Sequence, residues 1–173
     1  MTKNNQNMIE IEESGMKFGP FEFSHVFQIE KSKLYKNLHN IKTVEFILEN
    51  NNKLQFIEAK SSSPKPLPHN LVRFEEFIDE ISQKFLHSLN LYYTGVLGRH
   101  GSANDLPDPM KKINHQQVSI KFILVIKNHQ DEWLLPIKDA LERKMSSISS
   151  IWESQGAVIN AKTARNYKLI QSE

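Results

Sequence analysis

The chain has 173 residues, of which 39% are hydrophobic and 24% are charged, and its formal net charge is +2. This length allows one domain with a hydrophobic core, and the absence of cysteine from the sequence excludes disulfides, zinc–thiolate sites and cysteine nucleophiles. A net charge this small does not by itself indicate nucleic-acid binding, although it permits a local basic patch.

The sequence contains no pattern that directs it to a membrane or to export. No apolar run approaches the roughly 18 residues that a membrane-spanning helix needs, and the polar, Asn-rich start at residues 1–8 has no apolar signal-peptide region. We therefore expect a soluble, cytoplasmic protein with no membrane partner.

The N-terminal part of the chain has the weakest pattern. Residues 1–13 are expected to form a weakly ordered segment, while the Phe-rich residues 18–27 indicate an extended segment. Residues 28–40 fit either a short helix or the end of a strand followed by a turn. We assign residues 14–173 to a single α/β domain.

A β-hairpin is the clearest local prediction. Apolar and charged residues alternate over residues 43–49, which predicts a strand. Three consecutive asparagines at residues 50–52 predict a turn, because Asn tolerates positive φ. The largely apolar Lys53–Lys60 stretch predicts the second strand of the hairpin.

A loop and a long helix are predicted after the hairpin. The serines and prolines of residues 61–68 predict the loop. Apolar residues then recur at spacings of three and four from Leu71 to Leu89, which predicts an amphipathic helix. Asn70 is expected to cap the start of that helix, and residues 95–114 to form a second loop.

The C-terminal part predicts a strand, a helix and a further strand. A continuous apolar run within residues 118–127 predicts a buried strand. Pro136 is expected at the first position of a second long helix, Gly156 at the end of that region, and a strand or strand pair over residues 157–170. The order hairpin, helix, strand, helix, strand predicts an α/β (α+β) fold with a central mixed β-sheet flanked by helices.

Glu45, Glu58 and Lys60 are the candidate catalytic residues. Glu58 and Lys60 are two apart on a strand, so their side chains leave the same face, and pairing across the turn brings Glu45 near Glu58 unless the register shifts by one residue. Two carboxylates at one strand end offer hard oxygen ligands to Mg²⁺ or Mn²⁺. Such an ion can clamp a scissile phosphate and lower the pKa of a bound water, while Lys60 orients that water and stabilises developing charge.

These residues carry a resemblance to a known family. The sequence TVEFI at residues 43–47, followed by FIEAKSS at residues 56–62, resembles the PD-(D/E)XK nuclease superfamily, which has the restriction-endonuclease-like fold. That family has an acidic residue on one strand and an acidic-x-Lys triplet at the end of the next. The resemblance implies that Glu58 and the Ala59 carbonyl are metal ligands, that Lys60 positions the water, and that Glu45 replaces the family's usual Asp. The chain departs from the family in having no Pro-Asp pair before the hairpin.

The resemblance also implies further residues and partners. Some members place an acid on an early helix, for which Glu30 is the best candidate, and the helix after the motif can contribute a polar group, here Gln83 or Lys84. It implies metal-dependent cleavage of nucleic acid, DNA in preference to RNA, by a chain that forms a homodimer or joins a larger protein assembly.

Two other interpretations stay open on the sequence alone. The three candidate residues could form a solvated cross-strand charge cluster, of the kind that contributes about 0.2–1 kcal/mol. The apolar stretch before Glu58 argues against this, because a carboxylate at the end of a buried strand needs a partner. The chain could also be a catalytically inactive nuclease-fold protein that serves as a binding or assembly module.

Overall fold

A five-stranded mixed sheet lies at the centre of residues 7–171, the part of the chain that the structure, a computed structural model, describes. The strands are β1 (Met8–Glu13), β2 (Met16–Glu22), β3 (Val26–Phe27), β4 (Phe46–Asn50), β5 (Lys53–Lys60), β6 (Ser119–Ile126) and β7 (Gln155–Asn160). The helices are α1 (Lys33–Lys36), α2 (Leu71–Val96), α3 (Asp108–Lys111), α4 (Asp131–Lys144), α5 (Ser146–Trp152) and α6 (Ala161–Asn166).

The central sheet has the strand order β3-β4-β5-β6-β7. β3, β4 and β5 are antiparallel neighbours, whereas β5, β6 and β7 run parallel. Each parallel connection contains a long helix, α2 or α4, as parallel crossovers require. The predicted mixed sheet flanked by helices, and the order of its elements from the hairpin onwards, are confirmed.

The two faces of the sheet pack against different layers. Side chains such as Phe56 and Phe122 join a core cluster with α2 and α4. Ile57 and Ile123, which point to the other face, join a second cluster with β1, β2 and α6. Because side chains alternate along a strand, Glu58 and Lys60 lie on the same side as Phe56, and therefore face α2.

The hairpin register places the candidate acids next to each other. The turn between β4 and β5 is formed by Asn51 and Asn52, with φ of 52° and 58°, which is the conformation that a two-residue hairpin turn favours. Phe46 pairs with Ile57. Glu45 directly precedes Phe46 and Glu58 directly follows Ile57, so the two acids are adjacent across the hairpin. The register that the sequence left open is therefore the one that brings them together.

The N-terminal prediction is wrong for Met8–Glu13. These residues form β1, which pairs antiparallel with β2, and Ile11 is buried in the second core cluster. Their alternation of isoleucine with glutamate supports a strand that the polar composition concealed. Residues 1–6 lie outside the described part of the chain. The short-helix alternative for residues 28–40 is confirmed by α1.

Three predictions about helix ends are also wrong. Asn70 precedes α2 but makes no cap bond; its Nδ2 donates to the Lys65 carbonyl instead. α4 begins at Asp131, so Pro136 lies inside it; the two acids in its first turn favour the earlier start because of the helix dipole. Glu153, with φ of 48°, ends α5, and Gly156 lies in β7.

The last predicted strand is shorter than expected. β7 ends at Asn160, whose side chain accepts a hydrogen bond from the Thr163 N–H and caps α6. An N-cap asparagine stabilises a helix start, and the following residues therefore leave the strand conformation.

Candidate active site

Three glutamates surround the ammonium group of Lys84, on α2, at the end of β5. Lys84 Nζ lies 2.8 Å from Glu58 Oε1, 3.6 Å from Glu30 Oε1 and 3.8 Å from Glu45 Oε1. The two acids of the predicted hairpin site therefore converge, together with the weaker candidate Glu30. Of the two polar candidates on α2, Lys84 reaches the cluster, and Gln83 is exposed to solvent.

Lys60 joins the same cluster from the strand end. Its Nζ lies 3.2 Å from Glu58 Oε1 and donates a 3.1 Å hydrogen bond to Glu80 Oε1 on α2. The side chain keeps 26% of its exposed surface. Lys60 is thus anchored by one buried and one partly exposed carboxylate, while its side chain remains partly exposed.

Sequence reasoning missed the polar side of α2. Glu80, Lys84 and Ser88 recur at a spacing of four, which places them on one side of the helix, and all three contact the hairpin region. Glu80 pairs with Lys60. The signal was present in the spacing, but of these three residues the sequence analysis named only Lys84, through the family resemblance.

Burial excludes the interpretation of a solvated charge cluster for Glu58. Its side chain is 0% exposed, and those of Glu45 and Lys84 are 13% and 11% exposed. Burial raises the pKa of Glu58 above its ordinary value, although the charges of Lys84 and Lys60 oppose the shift. The carboxylate of Glu58 therefore depends on the surrounding cations for its ionised form.

The surrounding carboxylates hold Lys84 in its charged form. Burial alone would lower the pKa of Lys84, but the charge of Glu58, followed by those of Glu45 and Glu30, outweighs it and raises that pKa. Burial acts to raise the pKa of Glu80, but the hydrogen bond from Lys60 and the charges of nearby lysines together outweigh it, so this pKa is lowered.

The donor chemistry of the cluster suits a divalent cation. Glu58 Oε2 is buried and has no hydrogen-bond partner among residues 7–171, and three carboxylates share the ammonium of Lys84. Carboxylate oxygens are the ligands that Mg²⁺ and Mn²⁺ favour. The arrangement is nevertheless centred on an ammonium, and no group of three or more His, Cys, Asp or Glu side chains within the described residues is placed to hold a metal ion.

The Ala59 carbonyl has a partner from the N-terminal hairpin. Its oxygen accepts a 2.9 Å hydrogen bond from Ser14 Oγ, in the turn between β1 and β2. A carbonyl oxygen has a second lone pair, so this contact leaves room for another donor or ligand. The role of Ala59 as a metal ligand stays a prediction.

A buried hydrogen bond fixes the chain just before Glu45. The Val44 N–H donates to Ser88 Oγ on α2 at 2.8 Å. We expect Ser88→Ala to lower the free energy of unfolding by about 1–3 kcal/mol, because the buried N–H of Val44 loses the partner that the described residues give it. The matched control is Ser82→Ala on the same helix, since Ser82 Oγ only donates to the Asp79 carbonyl within α2. Urea unfolding measures both, and equal losses would contradict the role given to Ser88.

The raised pKa of Glu45 predicts that the stability of the fold depends on pH. Burial, and then the charges of Glu58 and Glu30, raise its pKa to about 7 from 4.5. The folded state therefore disfavours the ionised carboxylate, and its destabilising effect grows as the pH rises from about 4.5 to about 7 and is complete above that. Glu45→Gln should stabilise the fold by about 1–3 kcal/mol at pH 8 and have little effect at pH 4.

The measurement is urea unfolding of the Glu45→Gln variant at both pH values in the presence of a chelator. The control is Glu12→Gln, which changes an exposed glutamate on β1. If Glu45→Gln changed the stability equally at pH 4 and pH 8, the carboxylate would not titrate as described.

Comparison of the chain with protein-family models, with curated proteins and with solved structures finds no significant match. Within the described residues, no helix is both long and apolar enough to cross a membrane.

Proposed function

We propose that this chain is a metal-dependent phosphodiesterase of the PD-(D/E)XK type, which cleaves nucleic acid, DNA in preference to RNA, in the cytoplasm. The observation that supports the proposal best is the convergence of Glu45 and Glu58 in a buried cluster, with Lys60 at the same strand end. A buried carboxylate with perturbed pKa beside a partly exposed lysine is typical of a reactive site.

The proposed ligands are Glu45, Glu58 and the Ala59 carbonyl, which would hold Mg²⁺ or Mn²⁺. When bound, such an ion supplies Lewis acidity, which polarises a phosphodiester oxygen and lowers the pKa of a water molecule. Lys60 would orient the attacking water and neutralise charge that develops on the phosphate oxygens. Glu80 would keep the Lys60 ammonium at the strand end through its 3.1 Å hydrogen bond.

A second candidate function is a nuclease-fold protein without catalysis, which acts as a binding or assembly module. The position of Lys84 favours it, because its ammonium already lies between the carboxylates and compensates part of their charge. In either function, the chain would form a homodimer or join a larger assembly, which would contribute to target recognition.

The decisive test is a cleavage assay on double-stranded DNA, single-stranded DNA and RNA, with Mg²⁺, Mn²⁺ or a chelator. We expect the wild type to cleave DNA with metal only, and Glu58→Gln to be inactive while its circular dichroism spectrum is unchanged. Glu12→Gln, which removes one exposed carboxylate outside the cluster, is the control. If the wild type neither cleaves any substrate nor binds Mn²⁺ in calorimetry, the second candidate replaces the first.

A further inference from the structure

The face of the sheet opposite α2 is polar at the amino ends of its parallel strands. On that face Gln55 of β5 pairs with Lys121 of β6, and Lys121 pairs with Gln155 of β7. One rung further along, the same strands carry Ile57, Ile123 and Ala157, which belong to the second core cluster. A lysine between two glutamines in the middle of a sheet is therefore a local departure from an otherwise apolar face.

This polar rung forms part of the floor of a groove of about 530 Å³. Pro20 and Phe21 of β2 line the groove on one side, and Tyr167 and Lys168, which follow α6, line it on another. Its lining contains three lysines, namely Lys53, Lys121 and Lys168, and no aspartate or glutamate. The groove is distinct from the glutamate cluster, which lies on the opposite face of the sheet.

The cations of this groove have no counter-charge within the described residues. Lys53, Lys121 and Lys168 make no ion pair there, whereas Lys60 and Lys84 of the other face each contact two or more carboxylates. Lys121 is also half-buried. Since a partly buried charge without a partner is unfavourable, the floor of the groove is suited to an anion, which the amide groups of the flanking glutamines can also bind.

The segment after α6 adds an aromatic surface and a strained lysine. The Tyr167 ring is 68% exposed beside the groove. Lys168 has φ of 57° and its N–H donates to the Arg165 carbonyl, at a helix end where glycine is the usual residue. The chain thus keeps a lysine in a sterically disfavoured position at the groove, next to an aromatic ring on which a base can stack.

We propose that this groove is a second binding site, for a nucleotide whose phosphate contacts Lys121 with Lys53 and Lys168, and whose base stacks on Tyr167. The site requires neither the glutamate cluster nor a metal ion, and it goes beyond the proposed cleavage activity. The nucleotide can be free or part of a single strand, because both present the same phosphate and base.

The test is calorimetric titration of the full chain, in a chelator, with adenosine monophosphate, inorganic phosphate, adenosine and a single-stranded oligonucleotide of eight thymidines. We expect the nucleotide or the oligonucleotide to bind, and Lys121→Gln, Lys53→Gln and Tyr167→Ala each to weaken that binding about tenfold or more. Lys53→Gln changes an exposed residue, so it tests the groove even if Lys121→Gln disturbs the sheet. The matched control, Lys138→Gln on the exposed side of α4, should bind as the wild type does.

The outcomes separate this site from the proposed function. Binding of the oligonucleotide without binding of the mononucleotide would assign the site to a strand, and the reverse to a free nucleotide. Glu58→Gln should leave binding unchanged, so failure of cleavage does not affect this result. No binding of any probe at millimolar concentration, equal binding of inorganic phosphate and the nucleotide, or unchanged binding in all three groove variants would overturn the proposal.

Discussion

Lys84→Met is expected to lower the free energy of unfolding by about 3–5 kcal/mol at pH 8 in a chelator, because it leaves buried carboxylates without their shared cation. Lys84 Nζ is the contact that Glu30, Glu45 and Glu58 have in common. Methionine keeps the unbranched chain as far as Cε and removes the ammonium group with its charge. The loss should shrink at pH 5, because the pKa of Glu45, raised to about 7, lets this carboxyl be protonated there and so removes one of the uncompensated charges.

Mn²⁺ should restore much of this stability if the glutamates are metal ligands. In the wild type the ammonium of Lys84 lies among the carboxylates, so a metal ion has to compete with that ammonium. In Lys84→Met the metal ion has no such competitor. A ligand that binds only the folded state stabilises it by RT ln(1 + [L]/Kd). Urea unfolding in a chelator and in about 1–10 mM Mn²⁺ measures how much stability the ion restores.

The control for this experiment is the double variant Lys84→Met with Glu58→Gln. It removes the fully buried carboxylate together with its cation, so both the destabilisation and the rescue by Mn²⁺ should be smaller than in Lys84→Met. A large destabilisation that Mn²⁺ leaves unchanged would argue against a metal site and for a purely structural ion cluster.

The central fold was predictable because its elements have strong periodic patterns. The Asn turn fixed the hairpin, the apolar spacing identified α2, and the apolar run identified β6. The ends and the short elements were not predictable in this way. β1 is one strand of a two-stranded sheet, and its short alternation of isoleucine with glutamate, with Ile11 as its one buried residue, was outweighed by the polar composition around it. The start of α6 depends on a side-chain cap at Asn160, and the sequence there was interpreted as a continuing strand.

From the residues alone, the candidate site was predictable only within the hairpin, whereas Glu30 and Lys84 were named through the family resemblance. Glu58 and Lys60 share a face because strands alternate, and Glu45 joins them because a two-residue turn sets the register. The contributions of Glu80 and Lys84 depend on how α2 is rotated against the sheet. Both residues flank its apolar stripe, and local sequence does not determine whether a flanking position faces a strand end or solvent, since tertiary packing sets that rotation.

Lys60→Ala is expected to reduce metal-dependent DNA cleavage by about 10²–10³-fold, the usual effect of removing one group that stabilises transition-state charge. The fold should persist, because the Lys60 side chain is 26% exposed and its pair with the partly exposed Glu80 contributes at most about 1 kcal/mol. The buried Glu58, which also contacts Lys60, keeps its shorter 2.8 Å contact with Lys84. Single-turnover cleavage with saturating Mg²⁺ measures the chemical step, and urea unfolding measures the fold.

Two further variants decide what a loss of activity in Lys60→Ala means. Lys138→Ala removes an exposed lysine that pairs with Glu142 on α4, and this variant should cleave as the wild type does. Glu80→Gln keeps Lys60 but removes the charge that anchors it, so it should reduce cleavage less than Lys60→Ala. If Lys60→Ala cleaved as fast as the wild type, Lys60 would have no part in the chemistry. The activity would then have to come from other residues, because Lys84 is held among the carboxylates and is less exposed than Lys60.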